Sequence, residues 1–223
     1  EEFLETYDLA RNIGFENICK TCKIMFEKEF KKYQALNQLA ALNGTVIFGS
    51  HEDSVIPLGE LKQAFNLETN LYNRSSSNLS VDDASLFYDT CVAQLHPERV
   101  LLHIGETDVE AFLADTTAFD NKYRELIEHI KKCDKKCDVV VVSLKNHEQD
   151  ADIATMNKHL KYIAQSEHCE YVDISDKRLW NPKQTQEVSS FLFATGFVRP
   201  LHVKKPAYDL VRILFCNDVS YAV

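Results

Sequence analysis

No run of about 18 apolar residues occurs in this chain, so no segment is expected to cross a bilayer as a helix. Basic clusters are missing too. Lys and Arg number 25 against 34 Asp and Glu, for a formal net charge of −9. That balance argues against nucleic-acid backbones or anionic lipid surfaces as partners, both of which need concentrated positive charge. There is no internal repeat, and Ser75-Ser76-Ser77 is too short to be a low-complexity linker. A disulfide framework is lacking as well: the seven cysteines are an odd number spread from Cys19 to Cys216. This usage fits a reduced interior, and a cytoplasmic location is the expectation. The first residue is Glu1 and not Met, which leaves room for a removed leader.

What is present fits one globular domain with a short appendage: 223 residues, 45% apolar and 26% charged. Cys19 and Cys22 make a C-x-x-C, and Cys133 and Cys137 a C-x3-C, the raw material of a four-thiolate zinc site. The first pair, however, falls inside an amphipathic helical pattern, where Cys packs as a small apolar side chain. Neither a metal nor any other cofactor is expected.

In the segment 15–39, Phe15, Ile18, Cys19, Cys22, Met25, Phe26, Phe30, Tyr33, Leu36 and Leu39 recur at steps of three and four, the apolar face of a long helix. Asn43-Gly44 ends it as a turn. Such a stripe either braces a domain, its commoner use, or pairs two copies into a homodimer. The expected organisation is a helical extension over 1–43 and an α/β domain over 44–223.

In that domain, strand-like runs alternate with helical patterns. Thr45-Val46-Ile47-Phe48, Asn70-Leu71-Tyr72, Val100-Leu101-Leu102-His103-Ile104, Val139-Val140-Val141-Val142 and Tyr171-Val172-Asp173-Ile174 read as strands. Helices are expected at 58–65, at 82–95, around Tyr123, Leu126, Ile127 and Ile130, and around Ile153, Met156, Leu160 and Ile163. Unalternated Val, Ile and Leu suit strands covered on both faces, and intervening helices supply parallel crossovers. The fold class is therefore α/β, a three-layer α/β/α sandwich around a doubly wound, five-stranded parallel sheet. Ligands of such sheets bind beyond the carboxyl ends of the strands.

The strand ends carry Gly49-Ser50-His51-Glu52-Asp53-Ser54, Asn73-Arg74-Ser75-Ser76-Ser77-Asn78 and Gly105-Glu106-Thr107-Asp108. Arg199-Pro200-Leu201-His202 precedes a final helical pattern containing Tyr208 and Leu214. In order and spacing, these segments resemble the four blocks of the SGNH, or GDSL-type, hydrolase family over about 45–215. The resemblance implies that family's fold and its acyl-transfer site: a serine nucleophile, a histidine base, an aspartate three residues before the histidine, and an oxyanion hole of Ser amide, Gly amide and Asn side chain.

Residue by residue, the chemistry departs from the family. In the ungapped reading, the family's Asp falls on Ser50 and its nucleophile on His51. The oxyanion Gly becomes Asn78, the Asn becomes Thr107, and the orienting Asp becomes Arg199. His202 survives, with Gly49, Gly105 and Asp108 as framework. Arg199 cannot orient an imidazolium, and its charge would lower the basicity of a nearby His202. Loss of one oxyanion donor costs about 10²–10³ in rate, and loss of a triad member usually more. A one-residue shift offers Ser50 as nucleophile with His202 as base, the Asn78 amide and Thr107 hydroxyl serving as donors. His51 and His202 with Asp53, Glu106 and Asp108 also offer a metal-ligand set, but at no metal-motif spacing. His103 is expected to be a hydrogen-bonded core residue. The expectation is a catalytically degenerate SGNH-fold protein that binds a small acylated or acetylated ligand or a partner. The alternative is an ester or O-acetyl hydrolase using Ser50 and His202.

Overall fold

The computed structural model describes residues 26–50, 53–56, 58–64, 69–146 and 150–175. The chain divides into two compact units, Glu1–Ala40 and Ala41–Val223. In the first, helix α1 spans Glu27–Asn37, and the remainder of the expected stripe, 15–25, lies outside the described residues.

The second unit is built on five strands: β1 (Thr45–Gly49), β2 (Leu71–Asn73), β3 (Arg99–His103), β4 (Asp138–Val142) and β5 (Glu170–Val172). All pair in parallel, in the order β2-β1-β3-β4-β5. Helices α2 (Leu58–Ala64), α3 (Val81–Cys91), α4 (Val109–Ala114), α5 (Thr116–Cys133) and α6 (Ala151–Ser166) fill the connections. The chain steps outward from β1 to β2, then back across β1 to β3 and onward. Right-handed crossovers therefore put α2 on one face of the sheet and α3, α5 and α6 on the other. This is the doubly wound three-layer sandwich expected from the alternating pattern.

The three central strands β1, β3 and β4 form where Val, Ile and Leu run together, and every residue of β1 is buried, as a strand covered on both faces requires. Phe48 of β1 packs between Phe87 and Tyr88 of α3, at ring distances of 6.1 and 5.8 Å. The helix layer closes through Phe112, Phe119 and Tyr123, with centroids 5.4 and 5.7 Å apart. Oxygen side chains start the helices: Ser80, Asp115 and Asp150 accept from the amides of Asp83, Ala118 and Asp152.

Two details differ from the sequence expectation. The helix expected over 82–95 stops at Cys91 and passes through a 3₁₀ turn, Ala93–Leu95, to His96, whose φ of 45° closes it in the left-handed region. The segment before Tyr123 also holds the separate short helix α4, because Asp115 leaves helical geometry to cap α5. Among the described residues no helix is long and apolar enough to cross a membrane.

Candidate functional site

The sheet order reverses between β1 and β3, and their carboxyl ends open the crevice where doubly wound sheets bind ligands. Gly49 and His103 are register partners at these two ends. The side chain of Asp53, from the 3₁₀ turn Asp53–Val55, folds back over Gly49 and meets His103 Nδ1 at 2.8 Å. Both residues are buried. A Cβ on Gly49 would lie 1.8 Å from Asp53 Oδ2, so the glycine is what makes room for the carboxylate. His103 is thus a hydrogen-bonded core residue.

Ser50 is next in the chain. Its amide donates to the His103 carbonyl (3.2 Å) and its hydroxyl donates to Glu106 Oε2 (3.3 Å), with only 2% of the residue exposed. The loop after β2 is laced to the β1 tip: Ser75 Oγ accepts from the Gly49 amide and donates to the Ile47 carbonyl, while the Ser76 amide donates to the Gly49 carbonyl. Asn73 adds a bridge from the same loop, its Nδ2 donating to the Asp53 carbonyl at 2.6 Å. Arg74 is buried with its guanidinium over the Tyr72 ring and one Nη donating to the Asn73 carbonyl.

The third tip turns at Gly105, whose φ of 133° is a conformation side chains rarely adopt. A Cβ there would also press to 3.0 Å from Met156 Cε. The turn Glu106–Asp108 that follows touches both neighbours. Glu106 meets Ser50, and the Thr107 hydroxyl donates to the Leu79 carbonyl at 2.9 Å, beside the exposed Asn78. The Asp108 carboxylate accepts the Val81 amide through both oxygens, at 3.1 and 3.2 Å, at the start of α3. Burial pushes the Asp108 carboxyl up to about 6, against the lowering effect of the Val81 amide and Thr107 hydroxyl, and the charges of Asp82 and Asp83 add to the rise.

Of the residues singled out from sequence, Ser50, Asn78, Gly105, Thr107 and Asp108 therefore sit on the β1, β2 and β3 tips. His51, Arg199 and His202 lie outside the described residues. Two features escaped sequence reasoning. The acid that engages Ser50 is Glu106, 56 positions away, and the buried partner of His103 is Asp53, 50 positions away. The visible signal for the second was an acid four residues after a strand-ending glycine.

No protein-family model matches the sequence, and no curated protein does either. Solved structures do. One, provisionally named a platelet activating factor from Streptococcus pneumonia, is 15% identical and superposes with a TM-score of 0.58 over 77% of this chain and 85% of that one. A second, provisionally named an acylhydrolase from Bacteroides fragilis NCTC 9343, is 16% identical with a TM-score of 0.50 over 74% of this chain and 94% of that one. A GDSL-like lipase from Bacteroides thetaiotaomicron VPI-5482 is 17% identical, with a TM-score of 0.48 over 69% and 81%. With the strand order and the parallel register, the first two superpositions show the fold alone: this chain has the α/β/α fold of the SGNH, or GDSL-type, hydrolases.

Proposed function

We propose that this chain is an SGNH-fold protein whose catalytic blocks have been rewritten, and that its strand-tip crevice binds a ligand or partner without efficient hydrolysis. The observation that carries this reading is how the hydroxyls of the first and third blocks are used. An acyl-transfer site needs a nucleophile facing substrate and a donor aimed at the developing oxyanion. Here Ser50 is buried with its hydroxyl on the Glu106 carboxylate, and the Thr107 hydroxyl is spent on the Leu79 carbonyl. Both groups hold loops together. The ligand class favoured by the fold is a small acylated or acetylated molecule, read through the exposed Asn78 and the Glu106–Asp108 turn.

One observation favours the competing reading. The Glu106 carboxylate lies 3.3 Å from Ser50 Oγ, an acceptor that would take the hydroxyl proton as the bond to the acyl carbon forms and deliver that same proton to the leaving group, a base role that falls to His202 in the hydrolase reading drawn from the sequence. Two assays separate the readings. A serine-directed fluorophosphonate followed by peptide mass spectrometry is expected to leave Ser50 unmodified. Hydrolysis of p-nitrophenyl acetate is expected to stay at the level of the Ser50→Ala and His202→Ala variants. Labelling of Ser50, with turnover lost in both variants, would replace the binding reading by the hydrolase.

A further inference from the structure

Away from the strand tips, one surface cluster combines three side-chain types that ligate the same kind of metal. Asp89 stands near the end of α3, while His129 and Cys133 are one turn apart on α5, a spacing of four that puts both on one helix face. The ligand atoms of the three all lie within 4.8 Å of one another. His129 Nε2 is 2.6 Å from Asp89 Oδ1 and 3.7 Å from Cys133 Sγ, and Cys133 Sγ is 3.8 Å from Asp89 Oδ1. Tetrahedral zinc, with bonds of about 2.3 Å to sulfur and about 2.0–2.2 Å to nitrogen and oxygen, holds such atoms about 3.3–3.6 Å apart. Two edges of the triangle already approach that span. The third opens by rotating the exposed Asp89 carboxylate away from the imidazole.

A second observation comes from beneath the cluster. Tyr88 is fully buried, its ring edge-on to His129 at 6.2 Å, and its hydroxyl has no hydrogen-bond partner among the described residues. The ionisable groups acting on that phenol are Cys137, Asp134, Cys133 and Asp89, two of which belong to the triad. A buried hydroxyl without a partner is costly. A water completing a metal's coordination would give it an acceptor.

We propose that Asp89, His129 and Cys133 bind a single zinc-class divalent ion, with water as the fourth ligand and Tyr88 donating to that water. The donor set decides the metal class. A thiolate and an imidazole suit zinc and its borderline-soft neighbours, whereas magnesium and calcium take oxygen ligands. Binding exchanges the Cys133 thiol proton, released to solvent, for a metal–sulfur bond, and exchanges the Asp89–His129 hydrogen bond for two metal bonds. The ion thereby ties α3 to α5.

Cobalt titration of the reduced full chain tests this. One equivalent is expected to produce a thiolate-to-cobalt charge-transfer band with the visible bands of tetrahedral Co²⁺, and zinc should displace both. Cys133→Ser should abolish the charge-transfer band, and His129→Ala should weaken binding by more than about 100-fold, beyond what loss of an outer supporting residue costs. Zinc should raise the melting temperature of the unmodified protein and not that of the His129→Ala protein, which carries the test if Cys133→Ser folds poorly. Absence of the band would overturn the proposal. So would a band that survives both substitutions but is lost on Cys19→Ser, which would assign the ion to the C-x-x-C pair.

Discussion

Gly49 illustrates how one missing methyl organises the β1 tip. The Asp53 carboxylate occupies the space where a Cβ would stand, and from there it reaches His103. Gly49→Ala should therefore cost at least about 1–3 kcal/mol, the usual range for overpacking a filled core, and more where the buried pair separates. Urea unfolding measures this. In an Asp53→Ala background the same substitution should cost distinctly less, because the clashing atoms are gone. Equal costs in the two backgrounds would mean the strain lies elsewhere. The string Gly-Ser-His-Glu-Asp shows the glycine and the acid but not what the acid meets: its partner is 50 residues away on a strand that only folding brings alongside.

At the scale of elements, the central strands β1, β3 and β4 were readable because each holds a short run of β-branched and other aliphatic residues, and the edge strands β2 and β5 because a Tyr stands beside Leu or Val. The helices were readable where the apolar period is strong, as in α5, whose Phe119, Tyr123, Leu126, Ile127 and Ile130 are all buried. What the pattern could not supply is how a strand exit is held. Asn157 of α6, buried, accepts from the Leu144 amide and donates to the Leu144 carbonyl, both at 2.7 Å, replacing the ladder that β4 has just left. In the periodic pattern it is only a polar residue between Met156 and Leu160. Asn157→Ala should leave two buried backbone groups unpaired and cost about 2–4 kcal/mol. Amide hydrogen exchange should show protection at Leu144 falling with it. Protection unchanged from that of the unmodified protein would show that the clamp is dispensable.

For the molecule as a whole, Asp108 sets a pH response. Its carboxyl titrates at about 6 in the folded chain, against an ordinary value of 3.8, because burial disfavours the charged form. Below about pH 3.8 the group is neutral in both states and imposes no cost. As pH rises through about 6 the folded protein must carry a buried charge that the unfolded chain carries freely, so the stability present at acid pH is lost. At about 1.4 kcal/mol per tenfold change in proton affinity, the loss is bounded at about 3 kcal/mol. Asp108→Asn should remove it, so that between about pH 4 and pH 7 the variant gains on the unmodified protein by up to that amount in urea midpoint experiments. Parallel pH profiles for the two proteins would refute the assignment.

The amino-acid string alone determined the fold class, since runs of Val, Ile and Leu between amphipathic segments leave a covered parallel sheet as their natural arrangement, and it marked which turns lie at strand ends. Those are properties of neighbours in sequence, where side-chain period and turn chemistry act. The partners of Ser50, His103 and Thr107, and the approach of Asp89 to His129 and Cys133, were decided only by tertiary structure. Each of these contacts joins residues more than 25 positions apart, and they depend on which strands and helices become adjacent. Local periodicity carries no record of that adjacency.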